Sequence, residues 1–561
     1  KSSANATPTV ASPITPETAL TEFSAWAQQY LSASPADRFA LPLDRGYQLA
    51  KARRQAMSNL IRANPRQALA LAVPAGWRRE LPLSIASLLE ERVSGRGKMD
   101  TYCAISLPGP DYKDNENGEI RYVTLGGKTY RAFVYGRRVT QMSLKDAALH
   151  GVAVDNFMAV SEEPLRPLDT DEANAFLAAG NQPTNTTCPV CGAPLSGMKP
   201  PVLADFGGQI IAFDHPAHLG EMNRTLAAAE DAKITSKATP LAQTGPGNTP
   251  QPTSPVSTFG PRHVLYIRAV FADDRTVPIT EAEAALEMKQ VNDFYVEASY
   301  NKTALITTVT PVLTLRQAKL FYGSQGPGAL ADDARAAAQD AGYNPAAYEL
   351  VVIRHTNVPG FRWGGLGGGG TAWLQASGTG IAAHEIGHNY GLPHANFWNT
   401  RRAEPPTPGP WDTDSLIGHD SVIGPGSDVS YGDPHDVMGS GAGESAAAAG
   451  DTNVIASFNG HFNVVGKALL GWLPGAYIAD GDHGTTTRLY AQDTSALVEG
   501  RSYAISVRKD AERTYFVSSR SRFPNDPYLQ NGVELHWGPW QQSIGYSHIL
   551  DTTPGTSLAQ N

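Results

Sequence analysis

Apolar residues recur at helical spacing over Thr18–Leu31, Leu43–Ile61 and Leu83–Glu91, so residues 17–100 predict a helical N-terminal domain. The period then changes. Tyr102–Leu107, Glu119–Leu125 and Lys128–Tyr135 alternate and are split by Gly126-Gly127, which predicts a small β domain over 101–167. Residues 168–187 read as a linker. A cysteine-containing module follows over 188–234, with a hairpin at Pro201–Phe213 and a helix from His215 through Ala229. Residues 235–260, dense in Pro, Thr, Gly and Ser, read as a second linker. Beyond it strand and helix alternate through His263–Phe271, Glu281–Tyr300, Ala304–Leu313, Ala329–Ala341 and Tyr348–Arg354, an α/β pattern over 261–477. Short strands at Arg488–Tyr490, Ser502–Val507, Thr514–Ser519 and Val533–Trp537 predict a C-terminal β domain, 478–561, cut short at its end. The expected fold class is multidomain α+β.

Composition narrows the function. Of 561 residues, 41% are hydrophobic and 18% charged, so packed cores are expected rather than wholesale disorder. The formal net charge of −9 argues against nucleic acid as a partner. No apolar run approaches the roughly 18 residues that cross a bilayer, so no membrane span is expected. Residues 1–16 read as a flexible leader of the kind left after an export signal is removed; composition leaves the compartment open, and the motifs below favour a secreted, extracellular protein. Three cysteines are too few for a disulfide scaffold.

The decisive segment is Ile381-Ala-Ala-His-Glu-Ile-Gly-His-Asn-Tyr-Gly-Leu-Pro-His394. His384 and His388 lie four apart, so a helix presents both imidazoles on one face to a single metal ion. Glu385 lies next to the first ligand, where it can reach water at the metal. Gly391 stands where the helix must stop, and the turn brings His394 back as a third ligand. Three protein ligands and an open fourth position describe a catalytic zinc site. Histidine is only 14 of the 561 residues, so the whole pattern is rare by chance.

This segment resembles the extended zinc signature of metzincin metallopeptidases. Tyr431-Gly-Asp-Pro-His-Asp-Val-Met-Gly439 is similar to their downstream Met-turn. The flanks His394-Ala-Asn-Phe-Trp398 and Leu470-Gly-Trp-Leu-Pro474 resemble the gametolysin-like branch and its bacterial relatives. The resemblance covers about residues 260–475. It implies a metzincin-type α/β catalytic domain, zinc on His384, His388 and His394, Glu385 as catalytic base and Met438 as the Met-turn residue. It departs from the pattern at Ser440, where several metzincins carry a Tyr near the metal, so no oxyanion stabiliser is named. Tyr431 is a candidate for that role but reads more readily as a packing residue, and His419, His435 and His461 read as packing or surface histidines. The Gly364–Gly370 run with Thr371–Leu374 reads either as an edge strand for an extended substrate or as a surface loop.

Cys188-Pro-Val-Cys191-Gly192 resembles a zinc knuckle. With His215 and His218 at the start of the following helix it would make a Cys₂His₂ structural zinc site, similar to small treble-clef modules. A cysteine switch, a Cys188–Cys191 disulfide and free thiols stay open. Cys103 reads as a buried strand residue or a switch thiol. Calcium on Asp412–Asp414 or Asp433–Asp436 is possible chemistry, though surface acids explain these residues as well.

The expected protein is a secreted zinc metalloendopeptidase, a hydrolase of protein or peptide substrates, made as a zymogen whose N-terminal half is a prodomain. A silent binding or adhesion protein on the same fold, and a zinc hydrolase of a non-peptide amide, are the alternatives.

Overall fold

The computed structural model describes residues 16–38, 42–106, 119–141, 144–195, 201–236, 257–399, 427–442, 460–484, 486–509, 513–522, 529, 532–539 and 547–550. The leader to residue 15, most of the second linker, Asp412–Asp414, His419 and Trp540 lie outside the described residues. The chain divides into two compact units. One holds Lys1–Met99, Tyr122–Val139 and Leu144–Glu230; the other holds Asp100–Arg121, Thr140–Ser143 and Asp231–Asn561.

In the first unit the helices Pro16–Ser32 and Leu43–Ala63 meet through Phe23, Ala27, Leu49 and Ala50, joined by Leu81, Ile85 and Leu89. A buried ion pair, Arg53 to Glu90 at 2.5 Å, ties the long helix to the start of the sheet. Such a pair fixes geometry more than it adds stability, since desolvating two charges offsets most of their attraction. The strand Glu91–Ser106 begins inside the segment expected to be helical, because the last helix stops at Ala86. Its first part pairs with Leu144–Val154, and this pairing closes Glu119–Leu125, Lys128–Phe133 and Phe157–Val160 into a ring of five strands. The expected linker at 168–187 contains a helix, Thr170–Ala178. Asp169 accepts from the Glu172 amide and Glu172 accepts from the Asp169 amide, a complete capping box. A three-stranded sheet, Arg166–Pro167, Val202–Phe206 and Gln209–Phe213, then leads into the helix Pro216–Ser236.

The second unit holds the site. Four parallel strands run in the order Thr303–Thr314, Gly260–Val270, Leu350–Arg354 and Thr371–Leu374, and Trp363–Gly368 joins the last of them antiparallel. The glycine run is therefore a buried strand and its turn, not a surface loop. Nor is it a free edge: Cys103–Ser106 pairs antiparallel along the other side of Trp363–Gly367. The helix Glu281–Ala298, opened by a Thr280/Glu283 capping box, packs on the helix Thr379–Tyr390, and the Tyr295 hydroxyl donates to the Ala383 carbonyl at 2.7 Å. In the core between them Tyr295 stacks on Tyr390, and Phe462 and Trp472 meet these rings edge to face.

The C-terminal strands do not stand apart as the separate domain expected over 478–561. Ser547–Leu550 pairs with Ala395–Asn399, immediately after His394. A seven-stranded sheet runs from there through Glu534–Pro539, Arg513–Ser518 and Ala504–Arg508 to Ile478–Asp480. Trp537 is a core residue, stacked on the His548 ring at 4.5 Å. Mixed helices and sheets in two units agree with an α+β class. No described helix is long and apolar enough to cross a membrane.

Candidate metal centre

The helix Thr379–Tyr390 ends as the spacing predicts. Gly391 takes a left-handed conformation with φ at 100°. Its amide donates to His388 O, and the Leu392 amide donates to Gly387 O, a Schellman stop. The reversal delivers His394 beside the two helix histidines. The ring centroids of His384, His388 and His394 lie 4.6, 4.8 and 5.4 Å apart, and one ligand atom from each falls within 4.8 Å of the others.

Two hydrogen bonds aim the rings. His384 Nδ1 donates to the Val437 carbonyl at 2.7 Å, and His388 Nδ1 donates to the Leu392 carbonyl at 2.7 Å. A carbonyl oxygen only accepts, so each Nδ1 carries the proton and each Nε2 presents a lone pair. Those two Nε2 atoms face each other at 2.9 Å. Two lone pairs at that distance repel unless a cation stands between them. His394 Nε2 is buried and without a hydrogen-bond partner among the described residues. Burial lowers the His384 pKa to about 4. It lowers those of His388 and His394 well below the ordinary range, with the neighbouring imidazoles adding to the effect. The three rings are thus held neutral, as metal ligands must be. The donor set fits zinc.

Glu385 is fully buried on the same helix. Its carboxylate lies against the glycine strand. A Cβ at Gly365 would overlap Glu385 Oε1, and one at Gly367 would lie 2.9 Å from Oε2. Glycines at these two positions let the helix and its carboxylate approach the sheet. Met438 lies on the opposite side of the helix, where a Cβ at Gly387 would come within 2.5 Å of its Sδ. The neighbouring Val437 carbonyl is the acceptor that orients His384, so the segment at 437–438 both packs on the site helix and braces one of its histidines.

Residues 433 and 436 are not surface acids. Asp436 accepts from the amides of Met438 at 2.7 Å and Asn463 at 2.6 Å, which clamps the turn. Burial, and then the Asp433 charge, push the Asp436 carboxyl up to about 7. Burial works against the Asp433 charge as well, but the His536 hydrogen bond at 2.9 Å overrides it and holds that carboxyl near 2. Arg520 and Glu534 pair nearby at 2.7 Å, both buried. These carboxylates are committed to protein donors rather than set out for calcium. Nothing in the local sequence marks this ionic group, because His536, Arg520 and Glu534 come from distant strands. Tyr431, with φ at 61°, lays its ring 3.8 Å from that of His394 and 5.7 Å from that of His384. His461 is a packing residue, against Phe294.

The cysteine module differs from its expectation at one ligand. Cys188, Cys191 and His218 come together as the spacing suggests, but the fourth group is Asp214. His215 is exposed, and its Nδ1 accepts from the Ala217 amide. Proline at 216 opens the helix, so His215 sits outside it and turns away. Cys188 and Cys191 are free thiols in this structure. The Cys103 side chain is outside those described.

Residues 335–420 match the family model Peptidase M66. The match is to a peptidase family, and it spans the site helix and His394. Over 33 residues the chain is 64% identical to Dictomallein-1 of Dictyostelium discoideum, a stretch that is 6% of this chain and 6% of that relative. The chain thus matches only a small part of the relative's length.

Proposed function

We propose that this chain is a secreted, metzincin-type zinc metalloendopeptidase with Glu385 as its catalytic base. The observation that carries the reading is the convergence of three neutral, buried imidazoles beside a buried carboxylate. Zinc, when bound by His384, His388 and His394, supplies a Lewis acid that acidifies water and polarises a carbonyl. Glu385 takes the proton of the attacking water and passes it to the leaving amine, so that a single carboxylate serves first as base and then as acid. Val437 O and Leu392 O hold the ligand rings in register throughout. The intact base favours an enzyme over a silent binding protein. Digestion of casein, set beside hydrolysis of a small non-peptide amide, tests peptidase against amide hydrolase: the proposal expects the first to dominate.

The Gly365 contact gives a graded test. An Ala there must push the Glu385 carboxylate aside while leaving the three imidazoles in place. Gly365→Ala is expected to reduce peptide hydrolysis by about tenfold or more with unchanged zinc content. Equal rates would show that the carboxylate position is not critical.

The strand Cys103–Ser106 bears on regulation. It occupies the side of Trp363–Gly367 that an extended peptide would use to add itself to the sheet. In this reading the residues before the catalytic region restrain the enzyme until this strand is displaced. Proline at both Ala104 and Ile105 removes backbone donors from the pairing. The double variant should hydrolyse a short peptide several-fold faster than the parent chain. An unchanged rate would mean that the strand does not compete with substrate.

A further inference from the structure

We propose that Cys188, Cys191, Asp214 and His218 bind a second zinc ion, a closed structural site remote in sequence from the three histidines. The four ligand atoms all lie within 4.8 Å of one another. Cys188 Sγ is 3.7 Å from His218 Nδ1, Cys191 Sγ is 3.3 Å from Asp214 Oδ2, and Asp214 Oδ1 is 2.6 Å from His218 Nδ1. The donors come from three separate pieces of chain: a turn, the end of the strand Gln209–Phe213, and the first turn of the helix Pro216–Ser236.

The turn is built to hold two sulfurs on one side. Cys188 N donates to Ala193 O at 2.8 Å, Gly192 N donates to Cys188 O at 2.9 Å, and Thr187 bridges to Pro194. Gly192, with φ at 75°, allows the reversal. Neither cysteine is spent on a disulfide. Two thiols, one imidazole and one carboxylate make a soft, four-donor set that suits zinc and not calcium or magnesium. All four positions are filled by protein, so no vacancy remains for substrate, and the role is to staple.

The module has reason to need one. Its buried core consists of Leu165, Cys188, Ala204 and Phe213, with only partly buried apolar residues around them. A core of that size supplies little stability, and small folds commonly add a metal. The buried Cys188 thiol belongs to both the core and the ligand set, so the ion would pin the turn directly onto the hydrophobic residues.

The test is metal content of the full chain, together with the cobalt-exchanged protein's spectrum. About two zinc ions per chain are expected. Cys191→Ala and Asp214→Ala should each reduce this to about one, and His215→Ala should leave it at two. His388→Ala should also leave one ion, but a different one. Cobalt in place of zinc should give the near-ultraviolet thiolate charge-transfer band in the parent and in His388→Ala, and lose it in Cys191→Ala. Cys191 and Asp214 are not deeply buried, so these variants should fold. A parent chain with one ion that only His388→Ala removes would overturn the proposal. So would an unchanged count in Cys191→Ala and Asp214→Ala, or a cobalt protein with no thiolate band.

Discussion

Glu385→Gln is expected to lower peptide hydrolysis by about 10²–10⁴-fold while zinc content and thermal midpoint stay close to the parent's. The amide fills the same space between the helix and Gly365 and Gly367, so packing is kept. What is lost is the ability to take a proton from water and return it to the leaving nitrogen. The three imidazoles do not depend on this side chain: His384 and His388 are aimed by the carbonyls of Val437 and Leu392. Rate and metal content should therefore separate cleanly in this variant. A turnover within tenfold of the parent would remove Glu385 from the mechanism.

His388→Ala is expected to remove the metal ion at the three histidines, and with it activity. The substitution takes away one of three ligands and leaves the Leu392 carbonyl without its donor in a buried site. It also opens a cavity between His384 and His394, whose rings flank it. Catalysis should fall below detection, and added zinc should not restore it. In the parent chain a chelator should have the same effect on rate, and there zinc should restore activity. Stability should follow. An ion that binds only the folded chain at a thousand times its Kd contributes about 4 kcal/mol, so the thermal midpoint should drop on chelation in the parent. Retained hydrolysis in the chelated parent, measured alongside its metal content, would exclude this site as the source of activity.

The candidate site was legible because its information is local. His384, Glu385, His388, Gly391 and His394 lie within one helix and one turn, and helix geometry alone brings them together. Met438 was legible through its resemblance, and the structure places it against Gly387. The parallel strands and amphipathic helices that carry the site also followed from periodicity. The misreadings have physical causes. The sequence pattern offers His215 as the fourth ligand and nothing in it marks Asp214; Pro216 sets the helix start and decides which side chain faces the thiols. The helix Thr170–Ala178 was hidden in a polar stretch, although its capping box, Asp169 and Glu172, was present in the sequence. The sheet that joins Ala395–Asn399 to Ser547–Leu550 is a long-range pairing with no local signature. For the same reason the acids at 433–436 read as surface acids in the sequence, and nothing local marks the buried pairs Asp433–His536 and Arg520–Glu534.

The most direct test of the central claim is an anomalous difference map at the zinc edge, from crystals of the parent chain grown with zinc. The account predicts a peak enclosed by His384, His388 and His394 at about 2.0–2.1 Å from each Nε2, with the Nδ1 bonds to Val437 and Leu392 preserved. The same map without a peak between the three imidazoles would contradict it.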